Sequence, residues 1–161
     1  MAPDNRVLIA GGGPVGMISR FYLARHGIPV TVFDALPETT TDHRASTVHP
    51  STLEMLSELD MTDELSAMGL VSEVFQFRDR YDDRIVAEFD YGIIADETPF
   101  PYALQVEQHK VINVARKYAE LLPDFKLMRP YEAVSLKQDN DGVELSVKNP
   151  EGEIEKHTGR Y

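Results

Sequence analysis

The sequence predicts an α/β protein: a parallel sheet begun by a strand–helix–strand unit, then a three-stranded antiparallel meander. Three observations carry that prediction. A short apolar run flows into glycines spaced Gly11-x-Gly13-x-x-Gly16. Helical periodicity follows and gives way to a β-branched run, all within about 30 residues, the size of one βαβ unit. In the last third, apolar and polar residues alternate between the turns DNDG and NPEG, the pattern of paired antiparallel strands.

Taken in order, Val7 to Ala10 is a buried parallel strand. Pro14 to His26 is a helix, with Val15, Ile18, Tyr22 and Leu23 at helical spacing and Gly27 as its stop. Pro29 to Phe33 is a second strand that ends at Asp34. After the polar loop ALPETTTDHRASTV comes a helical stretch, with Leu53, Leu56 and Leu59 as its stripe and Ser51 with Glu54 as a capping box. Val71–Arg78 and Arg84–Phe89 read as a hairpin around DRYDDR, and its FQFRDRY stretch as packing rather than a substrate cage. Tyr102–Gln105 is a short strand. Glu107–Leu122 is a helix with Val111, Val114, Ala115, Tyr118, Leu121 and Leu122 on one face. Phe125–Met128 is a strand, and YEAVSLKQ, GVELSVKN and EIEKHTGR form the meander.

A chain of 161 residues is about one domain. Hydrophobic residues make up 42% and charged residues 27%, ordinary for a globular protein. No apolar run is long enough for a bilayer span, and the first residues lack the form of a signal peptide. There are no cysteines, so disulfides, thiolate metal sites and a cysteine nucleophile are excluded; a cytoplasmic protein is expected. The five histidines include no pair at metal-ligand spacing on one helix face, so no metal is expected. His43 and His49 read as structural or exposed, not as general bases. The net charge of −11 excludes a general nucleic-acid surface, but backbone amides can still hold an anionic cofactor locally.

The glycine loop carries the chemistry. Gly11 allows the tight turn out of the strand, Gly13 lets the backbone approach a pyrophosphate, and Gly16 lets helix and strand pack closely. The helix start, with Pro14 and Val15 in the loop, offers N–H groups and a positive dipole end to phosphate. Asp34 lies 18 residues past Gly16, near the ~20 at which an acid meets a ribose hydroxyl. It would repel a 2′-phosphate, which disfavours NADP and leaves FAD or NAD. The bland alternative is a ligand-free βα turn with an Asp capping a loop; the ordered strand, loop, helix, strand and acid argue against it.

VLIAGGGPVGMISRFYLARHGIPVTVFD, then HRASTVHPSTLEML, then ALQVEQHKVINVAR occur in an order that resembles the N-terminal part of the class A FAD-dependent aromatic hydroxylases, the para-hydroxybenzoate hydroxylase-like flavoprotein monooxygenases. The resemblance covers nearly the whole chain. It implies a Rossmann-like FAD-binding βαβ fold with a parallel sheet, the meander, and part of a substrate-domain hairpin. It also implies an FAD site. The ADP half would sit on Gly11, Gly13, Pro14, Val15 and Gly16, and Asp34, more often Glu in the family, would hold the ribose. Arg44 and Ala45 match the Arg-Ala pair near the ribityl and pyrophosphate, where a charged fork suits phosphate. Gln105, with Glu107 behind it, matches the Gln that reaches the flavin. Val134 lies on the strand whose backbone borders the adenine. Taken singly, Arg44 is an ordinary loop arginine and Gln105 a strand end; the ordered set is what carries the reading.

The family's chain continues from a Gly-Arg-Tyr-like strand into an Asp-Gly motif and later a Gly-Asp motif. This sequence stops at HTGRY. The expectation is therefore an incomplete FAD-binding domain over residues 1–161, with βαβ 5–34, a helical and hairpin insert at about 50–104, a helix 107–122 and a meander at about 131–158. The parent would hydroxylate a small aromatic, phenolic substrate with NAD(P)H and O₂, chemistry that resides in the cofactor; no catalytic residue is named in this segment. The alternative is a nucleotide-binding module without turnover. The absence of Trp argues mildly against the related halogenases, whose signature is Trp-rich. A homo-oligomer is compatible with the sequence.

Overall fold

The computed structural model describes residues 5–42, 44–123 and 125–161; His43 lies outside the described residues. In chain order the elements are β1 (Val7–Ala10), α1 (Pro14–Arg25), β2 (Val30–Phe33), β3 (Thr47–Val48), α2 (Pro50–Ser57), α3 (Thr62–Met68), β4 (Leu70–Ser72), β5 (Val74–Arg78) and β6 (Ile85–Asp90). A 3-10 turn (Tyr91–Ile94) precedes β7 (Ala103–Gln105), α4 (Gln108–Ala119), β8 (Phe125–Met128), β9 (Glu132–Gln138), β10 (Val143–Lys148) and β11 (Ile154–Gly159). The chain divides into two compact units, residues 1–42 with 111–161, and residues 43–110.

The first unit is built on a parallel sheet of order β1-β2-β8. Every residue of the central β2 is buried, as a continuous Val/Thr/Val/Phe run in a parallel sheet requires. Successive residues of a strand face opposite sides, and β1 shows it. Ile9 lies under Gly16 of α1. Leu8 packs instead with Phe33, Met128, Tyr131 and the meander residues Leu145 and Val147. The meander, order β11-β10-β9, thus covers one face of the sheet and α1 the other. Phe21 of α1 stacks on Tyr118 of α4 with centroids 5.8 Å apart. Full burial of a side chain such as Phe33 contributes about 1.5–3 kcal/mol, so this seam is a main source of the unit's stability. Beyond β11, the backbone of Arg160 and Tyr161 runs alongside β1, with Arg160 N–H donating to Arg6 and Tyr161 C=O accepting from Leu8 at 2.7 Å.

The readings of α1 and α4 change. The buried residues of α1 are Met17, Arg20 and Phe21, whereas Val15 is 78% and Tyr22 45% exposed. The reason is Gly16. It must face β1, so positions one, four and five residues later follow it inward, and an arginine among them hides the stripe. Burial lowers the pKa of Arg20 to about 10, against the attraction of Glu120. Likewise α4 ends at Ala119, not Leu122, and Leu121 is exposed.

The second unit holds the antiparallel sheet β3-β7-β4 and the hairpin β5-β6. Its core is Leu53, Leu56, Leu59, Met61, Leu65, Leu104 and Val106. The expected Val71–Arg78 strand is two. Leu70–Ser72 pairs with β7, and Val74–Arg78 pairs with β6. The expected capping box does not form: His49 is the N-cap of α2, with no side-chain cap. Pro50, whose missing N–H suits the first helical turn, shifts Ser51 inside the helix. On the hairpin, Phe75, Phe77 and Phe89 form a cluster with centroids 4.8–6.3 Å apart, about half exposed. Among the described residues no helix is long and apolar enough to cross a membrane.

Candidate nucleotide site

The glycine loop joins β1 to α1. Gly11 has φ +109°, a region L side chains rarely adopt, and its N–H donates to Phe33 O at 2.7 Å. The turn is therefore fastened to β2 as it leaves β1. A Cβ on Gly16 would overlap the Gly11 carbonyl oxygen and stand 3.2 Å from Ile9 Cγ2, so α1 lies on β1 as closely as backbone permits. Gly13 differs. Its φ of −73° and ψ of −173° suit any residue, and a Cβ there would meet nothing within 4 Å.

Gly13 is the N-cap of α1, and no side chain caps it. The first intrahelical bond runs from Met17 N–H to Gly13 O, so the N–H groups of Val15 and Gly16 precede any intrahelical acceptor. Pro14 has no N–H to satisfy. These donors, at the positive end of the helix dipole, border an open hollow of about 340 Å³ lined by Ala10, Gly11, Gly13, Val15 and Ser19. Hollows of about 440 and 830 Å³ lie along the meander; they are larger, but neither is lined by a residue of the glycine loop or by a helix N-terminus.

Asp34 follows β2, at the carboxyl end of the strand, where open α/β sheets bind ligands. Its N–H donates to Met128 O, and its C=O accepts from Tyr131 N–H at 2.8 Å. Its carboxylate is engaged at both oxygens: Oδ1 accepts from Leu36 N–H at 3.2 Å, and Oδ2 pairs with Arg129 Nη2 at 2.8 Å. Arg129 also donates to Gly12 O at 3.3 Å and to Thr39 Oγ1 at 3.0 Å. A Cβ on Gly12 would overlap Asp34 Oδ2 and lie 2.9 Å from Arg129 Nη2. Sequence reasoning passed over both Gly12 and Arg129. A signal for Arg129 existed: it directly follows β8, the parallel neighbour of the strand that ends in Asp34.

Val134 sits on β9 in the same unit, about half exposed. The β9–β10 register passes from Ser135↔Ser146 to Ala133↔Val147, so Val134 is the extra residue of a β-bulge. A bulged residue is left out of the ladder and re-aims its backbone.

The remaining candidates belong to the second unit. Arg44 is exposed. The carbonyl of Ala45 accepts from Gln108 N–H at 3.2 Å. Gln105 pairs in register with Thr47, and its Oε1 accepts from Thr47 Oγ1 at 2.9 Å. Glu107 lies 2.6 Å from Lys110 Nζ, whose hydrogen bond holds its carboxyl below the usual carboxylate range.

A family model described as FAD binding domain matches residues 4–161. The para-nitrophenol 4-monooxygenase of Pseudomonas sp. (strain WBC-3) is 26% identical over 146 residues, which cover 91% of this chain and 36% of that protein. The 6-methylpretetramide 4-monooxygenase of Streptomyces rimosus is 33% identical over 116 residues, covering 72% of this chain and 20% of that protein. The crystal structure of p-nitrophenol 4-monooxygenase PnpA from Pseudomonas putida DLL-E4 superposes with a TM-score of 0.91 at 23% identity, over 99% of this chain and 40% of that one. The flavin-dependent monooxygenase PieE, solved with FAD and substrate, gives a TM-score of 0.84 at 24% identity over 99% of this chain and 30% of that one. At these identities the superpositions show the fold. The chain spans between a fifth and two-fifths of these proteins.

Proposed function

The chain belongs to the FAD binding domain family, and from that premise we propose that Gly11, Gly13, Pro14, Val15, Gly16 and Asp34 hold the ADP half of FAD. The observation that carries this reading is the uncapped start of α1, with open space at Gly13. A diphosphate there meets the N–H groups of Val15 and Gly16 and the helix dipole, and the strand-end carboxylate of Asp34 meets the ribose. The bulge at Val134 supports a backbone contact to adenine. Arg44 and Ala45 are assigned to the pyrophosphate and ribityl region. Gln105 is assigned to the flavin, its amide NH₂ supplying the donors a flavin carbonyl accepts.

The same reading extends to the whole protein: a monooxygenase that hydroxylates a small aromatic, phenolic substrate with NAD(P)H and O₂. The names of the relatives support it. Bound FAD supplies hydride acceptance and oxygen activation; the residues of this chain bind and orient it. Residues 1–161 are read as an incomplete FAD-binding domain, in a cytoplasmic protein without a nucleic-acid partner and compatible with a homo-oligomer.

Adding FAD, desalting and recording the visible spectrum tests the site. A retained, shifted flavin band is expected. A folded but colourless chain that also leaves ADP unbound in calorimetry overturns the reading.

Gly12→Ala gives a finer check. The atoms nearest the new methyl are the ends of the Asp34 and Arg129 side chains rather than backbone, so the chain should still fold, with its Tm lowered by the loss of a nearly buried ion pair. The Asp34–Arg129 pair should part. Hydrogen bonds to a charged group contribute about 1.5–3 kcal/mol, so ADP should bind roughly 10- to 150-fold more weakly. Equal affinity in calorimetry would detach Asp34 from the ligand.

A further inference from the structure

We propose that Arg129 is a positioning residue of the nucleotide site, its guanidinium fixing the Asp34 carboxylate for a ribose hydroxyl and tying it to the glycine loop; this rests on the nucleotide reading above. One fork touches three segments at once: Asp34 Oδ2 at 2.8 Å, Gly12 O at 3.3 Å and Thr39 Oγ1 at 3.0 Å. The pair is almost out of solvent, with side chains 10% and 14% exposed, so water screens it little. Leu36 N–H holds the other carboxylate oxygen, and the carboxyl plane is set from both sides. Each carboxylate oxygen has two lone-pair sites, so both keep one for a hydroxyl donor.

Charge points the same way. An unpaired carboxylate beside a diphosphate would oppose its binding; the guanidinium neutralises that carboxylate. Arginine suits the task and lysine does not, because Nη1 and Nη2 reach different partners in fixed geometry. The glycine at position 12 fits as well: any larger residue would enter the space that the pair fills. The Nε of Arg129 is buried and has no hydrogen-bond partner among the described residues, so the head group is placed for Asp34, Gly12 and Thr39 at the expense of its Nε–H donor.

The test is calorimetric titration of the 161-residue chain with ADP and with 2′-deoxy-ADP. The unmutated chain is expected to prefer ADP by about tenfold or more. In Arg129→Met that preference should fall toward one, with 2′-deoxy-ADP affinity changed far less than ADP affinity. Arg129→Lys, which keeps the charge and the fold if Met does not, should be intermediate. In an Asp34→Asn background, Arg129→Met should leave the preference unchanged, because the two residues act through one bond. A purely structural arginine would weaken both nucleotides in parallel and keep their ratio; that result overturns the proposal. An unmutated chain that binds both nucleotides equally overturns it too, and leaves the nucleotide site standing. A chain that binds neither removes the nucleotide reading and the proposal together.

Discussion

Gly16→Ala is expected to lower the melting temperature of the ligand-free chain by several degrees. The added methyl overlaps the carbonyl oxygen of Gly11, and that oxygen cannot swing aside. Gly11 is held at φ +109°, and its N–H is bonded to Phe33 in the neighbouring strand. Helix α1 must therefore back away from β1 and loosen the packing of Met17 and Phe21, both now buried. Overfilling a packed site costs about 1–3 kcal/mol. Alanine's better helix propensity returns at most about 1 kcal/mol, so the clash wins. At roughly 2–4 °C per kcal/mol for a chain of this size, circular dichroism resolves the shift. An unchanged melting curve would mean that helix and strand are not in the contact described.

Much of this arrangement is legible in the chain. The glycine spacing, the βαβ unit and the meander are local signals: each residue's role is set by neighbours a few positions away, and β1, β8 and the meander strands fall where the pattern places them. What the sequence hid depends on partners far along the chain. Val71–Arg78 reads as one strand, because nothing local shows that β7 takes its first half and β6 its second. The inward face of α1 is set by Gly16 against β1, not by its most apolar stripe. Arg129 stands 95 positions from Asp34, and only the order of strands in the sheet brings the two together. The candidate site is thus half legible: the loop and the acid are local patterns, but the Arg129 that pairs with the acid is not.

The clearest division between fold and ligand lies at Gly13. Among the described residues nothing requires glycine there: its backbone is in an ordinary extended region, and a side chain would enter open space. Gly13→Val should therefore fold with a melting temperature close to that of the unmutated chain. The loss of glycine's freedom in the unfolded state stabilises by about 0.4–1 kcal/mol, and valine's poorer fit at an N-cap takes back a similar amount. Binding should behave oppositely. The branched side chain would stand where a diphosphate approaches the N–H groups of Val15 and Gly16, and each charge-assisted bond lost removes about 1.5–3 kcal/mol. With two such bonds gone, ADP and FAD affinity should fall roughly hundredfold or more. Gly16→Ala and Gly13→Val then separate cleanly, the first through stability and the second through binding. Were Gly13→Val to bind ADP as tightly as the unmutated chain, the phosphates would lie elsewhere, and the uncapped helix would be no more than a tight turn.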